Sequence, residues 1–514
     1  MSTYKETLER TEAQTDFLQT DLAKSTIITN GGLALLYFVI LVFWFPKGEP
    51  VLYWLLIAGE VFHLWQLLTY LYTVWDTNYK APFDSSFKPP VDVFITVAGE
   101  PIEIVEETAR AALAMRHPHL SIHLLNDGYV AKKDNWRDVE RLAERLGINC
   151  ITRTTPGGAK AGNINNALRL THNPYIAVFD ADHVPHPDFI EKTIGYFAEP
   201  RMGFVQSPQF YKNRDLNEVT RGSWEQQALF FGPICKGKNR LNATTMCGTN
   251  MLISRNALNE VGGMCEESIA EDFLTGMFIH EKGYRSTYVP EVLAEGLAPE
   301  DFLSYWKQQF RWARGALDMV FRYGIAMRPG LSIAQRIQYL SSVSFFFSGL
   351  VVLMNALMPV IFLFTGLVPF EISTMGLAAV FLPYIFLTLY TLRQSSNFTF
   401  TFKSLAFSMA GFTIHIQALL SALSGKKATF AVTSKRQLSG NFLNLVTPHM
   451  LYIVLVAIGI IVAATREGLT PSVVTNSTWA ILNVAVFMEF IHAAVPAEST
   501  AKEPALTTSP AKAA

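Results

Sequence analysis

The sequence predicts an α/β domain with a mostly parallel sheet, inserted between transmembrane helices. Three observations predict it. Long apolar runs gather at the two ends of the 514-residue chain. A polar middle segment alternates short β-type runs with helical periods. Only 17% of residues are charged while 50% are hydrophobic, with 37 Phe, 18 Tyr and 9 Trp. A soluble domain carries about 25% charged residues, so part of the chain belongs in lipid.

The apolar runs are 27–45, 51–75, 337–365, 375–392, 448–465 and 478–495. Each is long enough to cross a bilayer. A backbone in lipid must satisfy its own hydrogen bonds, so all six are expected as helices. The first two are joined by Pro46, Lys47, Gly48, Glu49 and Pro50, a linker that suits an antiparallel hairpin. The first 24 residues are polar and mixed in charge, and run 27–45 lacks a cleavage site, so it is read as a retained helix. The stretch 398–424 mixes apolar residues with Lys403, Ser404, Ser408, His415 and Gln417. It is read as an interfacial amphipathic helix. Lys24, Arg393, Lys403, Lys426, Lys427, Lys435 and Arg436 then fall on one side, and only Lys47 and Arg466 on the other. Basic loops stay inside. The expected protein is therefore multi-pass in the cell (inner or plasma) membrane, with the middle domain and both termini cytoplasmic.

The segments follow: 1–24 cytosolic, 25–75 a helical hairpin, 76–330 the cytosolic domain, 331–392 two further spans. Then come 393–444, an interfacial helix and a loop; 445–495, two more spans; and 496–514, a tail expected to be disordered. The middle domain reads as strands at 91–97, 120–125 and 175–179, with helical periods at 102–115 and 134–146. That alternation implies parallel strands with right-handed crossovers. Ligands of such sheets bind at the carboxyl ends of the strands. The net charge of −1 gives no support for nucleic-acid binding. Cys150, Cys235, Cys247 and Cys265 fit no zinc or disulfide spacing and are expected reduced.

Acidic groups sit at those strand ends. Asn126-Asp127-Gly128 closes one strand and Asp180-Ala181-Asp182-His183 another. Two carboxylates at i and i+2 can converge on a hard cation that bridges to phosphates. Glu271-Asp272 offers a general base; Ser268 could equally cap a helix with Glu271 in a capping box. The run from Gln308 through Arg311 and Trp312 to Arg314 joins cations to an aromatic. Arg clamps diphosphates and Trp stacks on sugar faces, although an interfacial helix has the same composition.

In that order the motifs resemble bacterial cellulose synthase catalytic subunits and related processive glycosyltransferases of family 2. The pattern is Asp127, Asp180-X-Asp182, Glu271-Asp272 and Gln308-X-X-Arg311-Trp312. The runs 159–163 and 205–209 match as well, and Phe430-Ala-Val-Thr433-Ser-Lys435 matches the Phe-X-Val-Thr-X-Lys gating loop. The resemblance covers about residues 26–495.

The resemblance implies a nucleotide-sugar-binding, Rossmann-like domain that uses Mg2+ or Mn2+ and a UDP-sugar. Thr96, Glu100 and Asp127 would hold the uridine end. Lys160, Asp180, Gln308, Arg311, Thr433 and Lys435 would complete the nucleotide site. Asp180, Asp182 and His183 would hold the metal. Asp272 would be the base, beside Glu271, and Arg311 would stabilise the departing diphosphate. Cys247, Gly248 and Trp312 would bind the acceptor, although Cys-Gly-Thr-Asn stands where the family has Cys-Gly-Ser. The implied partners are the growing polysaccharide, the bilayer and an accessory export subunit. Tyr37, Trp44, Phe62, His63, Trp65, Gln66, Phe347 and Asn355 are candidates for a sugar path. Control by cyclic di-GMP within this polypeptide is not expected. The leading product is a β-1,4-glucan from UDP-glucose. A β-mannan, a β-1,3 or mixed-linkage glucan, an N-acetylglucosamine polymer and a glycosylated lipid are the alternatives.

Overall fold

The computed structural model describes residues 16–20, 22–425 and 440–495. The main sheet contains β1 (Val91–Val97), β2 (Leu120–Asn126), β3 (Asn149–Thr152), β4 (Tyr175–Asp180), β6 (Met202–Gln206), β8 (Met251–Ser254) and β9 (Arg285–Tyr288), in the order β3-β2-β1-β4-β8-β6-β9. Within it β8 alone runs antiparallel to its neighbours β4 and β6. Two short strands, β5 (Val184–Pro185) and β7 (Phe210–Tyr211), flank β10 (Ala294–Gly296) in a second sheet. Every residue of β1 is buried. That is the signature of a strand covered on both faces by helices, and it explains the continuous apolar run. The one charge in β1, Asp92, is satisfied by Arg255, Asn173 and His123 at 2.8–3.2 Å.

The predicted strands and helices reappear with ends moved by one or two residues. The helix Trp136–Leu146 stops at Gly147, whose φ of +67° only glycine adopts without strain. The parallel register sets Thr96 beside Asp180 and Val97 beside Asn126. The carboxyl ends of β1, β2 and β4 therefore open onto one cleft.

Seven helical segments among the described residues are long and apolar enough to cross a membrane, one more than the six read from the sequence. The seventh, Phe402–Leu423, is the stretch read as interfacial. Three of its polar residues, Lys403, Ser404 and His415, have partners on other elements, which accounts for polar groups in an apolar run. Lys403 pairs with Glu218 and lies 3.7 Å from Glu489, Ser404 Oγ donates to the Glu225 carbonyl at 3.1 Å, and His415 meets Ser348 at 3.2 Å. The segment is broken at Gly411 into helices Phe402–Ala410 and Phe412–Leu423. Those pieces are roughly 13 and 18 Å long, against a hydrocarbon core of about 30 Å. It is also the span most enclosed by protein, 61% against 11–39% for the others. It packs on Phe302–Phe321 and Glu218–Leu229 of the α/β domain and on Ser348–Thr365 and Pro471–Ala494.

A polar seam joins Pro50–Thr73 to Ile333–Ser344. Trp65 and Gln66 both donate to Ser344 Oγ at 3.0 and 2.9 Å, Thr69 meets Ser341 at 3.0 Å, and Thr73 bonds Gln338. The sugar-path candidates thus separate. Trp65 and Gln66 lie in the seam. Tyr37 is buried in a stack on Tyr384, with centroids 4.9 Å apart, and Trp44 is 81% exposed on the outer face. Asn355 Oδ1 is buried without a hydrogen-bond partner beside Gly59. Phe347 meets Phe321 edge-on, and Phe62 lies against His63. The gating-loop residues Phe430, Thr433 and Lys435 and the tail 496–514 lie outside the described residues.

Candidate active site

One half of the cleft grows from the ends of β1, β2 and β4. Thr96 Oγ1 donates to Asp180 Oδ1 at 3.0 Å, and the Asp180 N–H donates to Thr249 Oγ1 at 3.0 Å. Asp182 and His183 are both buried. Ligand atoms of Asp180, Asp182 and His183 all lie within 4.8 Å of one another. Both ring nitrogens of His183 are buried without a hydrogen-bond partner. Two carboxylates and an unsatisfied imidazole suit a divalent cation of the magnesium or manganese kind. Glu100 folds back onto the strand end, accepting from the Ala98 N–H at 2.6 Å.

Lys160 joins this half to the next. It opens the helix Ala159–Leu170, pairs with Asp180, and donates to the Gly248 carbonyl at 2.8 Å. Asp180 is held below the usual carboxylate range: burial pushes it up, but Lys160 and His183 more than offset that.

Asp127 carries a partner that the motif reading missed. Arg153, at the end of β3, grips both of its oxygens at 2.6 and 2.8 Å, and reaches the carbonyls of Gly157 and Ala159. One guanidinium therefore fixes Asp127 to the turn that delivers Lys160. An Arg following a strand is too common a feature to single out, and only the adjacency of β2 and β3 in the sheet reveals it.

The other half is built on the loop 245–250. Gly248 has φ +80°, and a Cβ there would stand 2.7 Å from Asp272 Oδ2. Only glycine lets this loop approach the carboxylate so closely. The run 205–209, matched in the sequence without an assigned role, holds the loop in place. Gln206 Oε1 accepts from the Cys247 N–H at 2.9 Å, Gln206 Nε2 donates to the Thr249 carbonyl at 2.8 Å, and Gln209 donates to the Cys247 carbonyl at 3.1 Å. All four cysteines are free.

Glu271 and Asp272 open the helix Glu271–Glu281. Its cap is Ala270, and Ser268 Oγ accepts only from the Ala270 N–H at 3.1 Å. The capping-box reading is thus corrected: the helix is capped two residues later, at Ala270, so Glu271 is its first residue and not its third. Asp272 Oδ1 instead accepts from the Phe273 N–H at 2.7 Å. Burial pushes both carboxyls up, and for Glu271 the adjacent Asp272 adds to it; Lys160 and Arg311 pull both back. Arg311 and Trp312 sit half-buried on Phe302–Phe321, with Gln308 buried one turn earlier. Tyr211 lies close enough to feel the Arg311 charge and takes a hydrogen bond from Gln227 at 2.9 Å.

Residues 89–315 match the family described as glycosyltransferase like family 2, and residues 258–492 match the cellulose synthase family. The UDP-forming cellulose synthase catalytic subunit of Xanthomonas axonopodis pv. citri is 36% identical over 293 residues, 55% of this chain and 39% of that one. That of Pseudomonas fluorescens is 30% identical over 471 residues, 87% of this chain and 63% of that one. The chain thus spans less than two thirds of the length of either relative. A mannosyltransferase from Pyrobaculum calidifontis, solved with GDP-Man and Mn2+, superposes with a TM-score of 0.52 at 18% identity, over 73% of this chain and 99% of that one. At that identity the likeness establishes the glycosyltransferase fold alone. The two family matches overlap and together run from residue 89 to 492, so from β1 to the last apolar helix the chain is similar to the family 2 glycosyltransferases and to the group that contains the bacterial cellulose synthases.

Proposed function

We propose that the protein is a processive, inverting glycosyltransferase that polymerises a UDP-sugar and passes the product between its membrane helices. The observation that carries this reading is the position of Lys160, bonded at once to Asp180 and to the loop lying against Asp272. Donor phosphate groups and acceptor hydroxyl would then meet within one side chain's reach.

Asp180, Asp182 and His183 would hold a divalent cation, which would neutralise and polarise the diphosphate. The residues do the rest. Thr96, Glu100 and Asp127 line the nucleoside end, with Asp127 held rigid by Arg153. Asp272 takes the proton of the acceptor hydroxyl as the new bond to the anomeric carbon forms. The bond from that carbon to the diphosphate breaks on the opposite side. Arg311 and Lys160 carry positive charge toward the leaving group, where fixed charge lowers the barrier most. Cys247, Gly248 and Trp312 hold the acceptor end. Thr433 and Lys435 would close over the nucleotide. UDP-glucose and a β-1,4-glucan are the proposed donor and product, supported by the cellulose synthase relatives. The polar seam supports translocation, because hydroxyl-bearing walls suit a neutral polyol. The orientation proposed is six crossings with 402–423 at the interface and both termini cytoplasmic.

The test is label incorporation by the purified protein in vesicles. UDP-glucose, UDP-N-acetylglucosamine, UDP-galactose and GDP-mannose are offered separately with Mg2+ or Mn2+, beside Asp272→Asn. High-molecular-weight product from UDP-glucose, absent with the variant and degraded by a β-1,4-glucanase, is the expected result. Label confined to a lipid extract overturns the polymerase reading.

A further inference from the structure

Buried polar groups that the reaction does not use gather where the catalytic domain meets the membrane helices. The most unusual is Lys238. It lies in the short helix Cys235–Asn239, just after a π-turn at Phe230–Ile234 that Gly232 and Pro233 distort. Lys238 is 2% exposed. Its ammonium donates to Thr245 Oγ1 at 2.9 Å and to Ser342 Oγ at 2.7 Å, and lies 5.8 Å from the centre of the Phe230 ring. Among the described residues its hydrogen-bond partners are hydroxyls, not carboxylates.

Stability does not account for a cation here. A buried ammonium loses its hydration, and two hydroxyls repay less of that loss than a carboxylate would. A methionine of similar length could fill the same space without it. What the ammonium supplies is a fixed fork of donors between two particular partners. Thr245 begins the loop that carries Cys247 and Gly248, the latter against Asp272. Ser342 sits on Ile333–Ser344, the helix whose other hydroxyls make the seam with Pro50–Thr73. Ser342 Oγ itself donates to the Gln338 carbonyl at 2.9 Å, which locks it as an acceptor for Lys238.

We propose that Lys238 is a positioning residue of the transfer reaction: it ties the loop against the catalytic carboxylate to the first membrane helix after the domain. This rests on the glycosyl-transfer reading above. A sugar end leaving the cleft along the seam then stays in register with Asp272 between additions. Lys238 touches neither the donor site nor the carboxylate pair directly, so its effect passes through Thr245.

The test uses the full-length purified protein with K238M, K238R and S342A. K238M is expected to unfold at the wild-type temperature or above, and to bind UDP within two-fold of wild type. Its amide hydrogens at 245–250 are expected to exchange at least ten-fold faster. With labelled donor, kcat falls at least ten-fold at unchanged donor KM, and the products are shorter. K238R restores loop protection and most of the rate, and S342A shows the same changes at smaller size. Wild-type exchange at 245–250 in both K238M and S342A overturns the proposal. Early unfolding of K238M with loss of UDP binding also overturns it, since Lys238 would then be a residue of the fold. A wild-type protein that elongates nothing would sink the polymerase reading alone, because the exchange measurement needs no turnover.

Discussion

The cleft and the seam between membrane helices are held by different forces. At the ends of β2 and β4 the anchoring contacts are between charged groups: Arg153 on Asp127 and Lys160 on Asp180. In the seam between Pro50–Thr73 and Ile333–Ser344 they are between neutral groups: Trp65 and Gln66 on Ser344, Thr69 on Ser341, Thr73 on Gln338. The difference follows from what each region would handle. A nucleoside diphosphate is a polyanion, and fixed charges in a dry cleft act strongly on it. A neutral sugar chain gives charges nothing to bind, and a charge among membrane helices is costly. Lys238 sets a cation against one end of that neutral seam, on Ser342.

The comparison can be broken in several ways, beginning with the largest effect. Asp272→Asn should lower kcat by about 10²–10⁴-fold, the usual range for a positioned base, with UDP binding retained in calorimetry. Loss of UDP binding would instead move Asp272 into the donor half. Asp182→Asn should abolish the enhancement of UDP binding by Mg2+ or Mn2+. A variant that still responds to the metal would remove Asp182 from the cation site. Arg153→Met leaves the buried Asp127 unpaired and should cost about 3–5 kcal/mol of stability, measured by unfolding in detergent. A small cost would show that the charged half is less dependent on pairing than its geometry implies.

The pH profile sharpens the contrast. Burial pushes Asp272 and Glu271 up, and Lys160 pulls both down. The base works deprotonated, so kcat should rise with pH through a limb lying above the ordinary carboxylate range of about 4. Lys160→Met removes a nearby positive charge, raises both carboxyls further and should move that limb to higher pH. A downward shift would contradict the arrangement. The smallest effect belongs to the seam. Thr69→Val should cost about 1 kcal/mol, the net worth of one hydrogen bond, with donor affinity unchanged.

Three of the ten strands among the described residues, β1, β2 and β4, and the acidic motifs were legible in the chain because both signals are local. A seven-residue apolar run such as β1 states its own burial, and Asp180-X-Asp182 states its own spacing. The helix boundary at Ala270 was not, because Ser268 and Glu271 have capping-box spacing whether or not the backbone turns there. The stretch 398–424 was legible as ambiguous, and the partners of its Lys403, Glu218 and Glu489, lie 185 and 86 residues away.

By itself the sequence determined the parallel α/β domain, its placement between apolar helices and the order of the chemical groups. Periodicity and composition act over one or two turns of chain, so they survive without the fold. The tertiary structure alone decided which groups touch. It set Arg153 on Asp127 by laying β3 beside β2, brought Gly248 against Asp272, made Gln206 and Gln209 the support of the loop 245–250, and placed Lys238 between that loop and an apolar helix. Those contacts depend on which strand neighbours which and how closely backbones approach, and neither is written in any local stretch of residues.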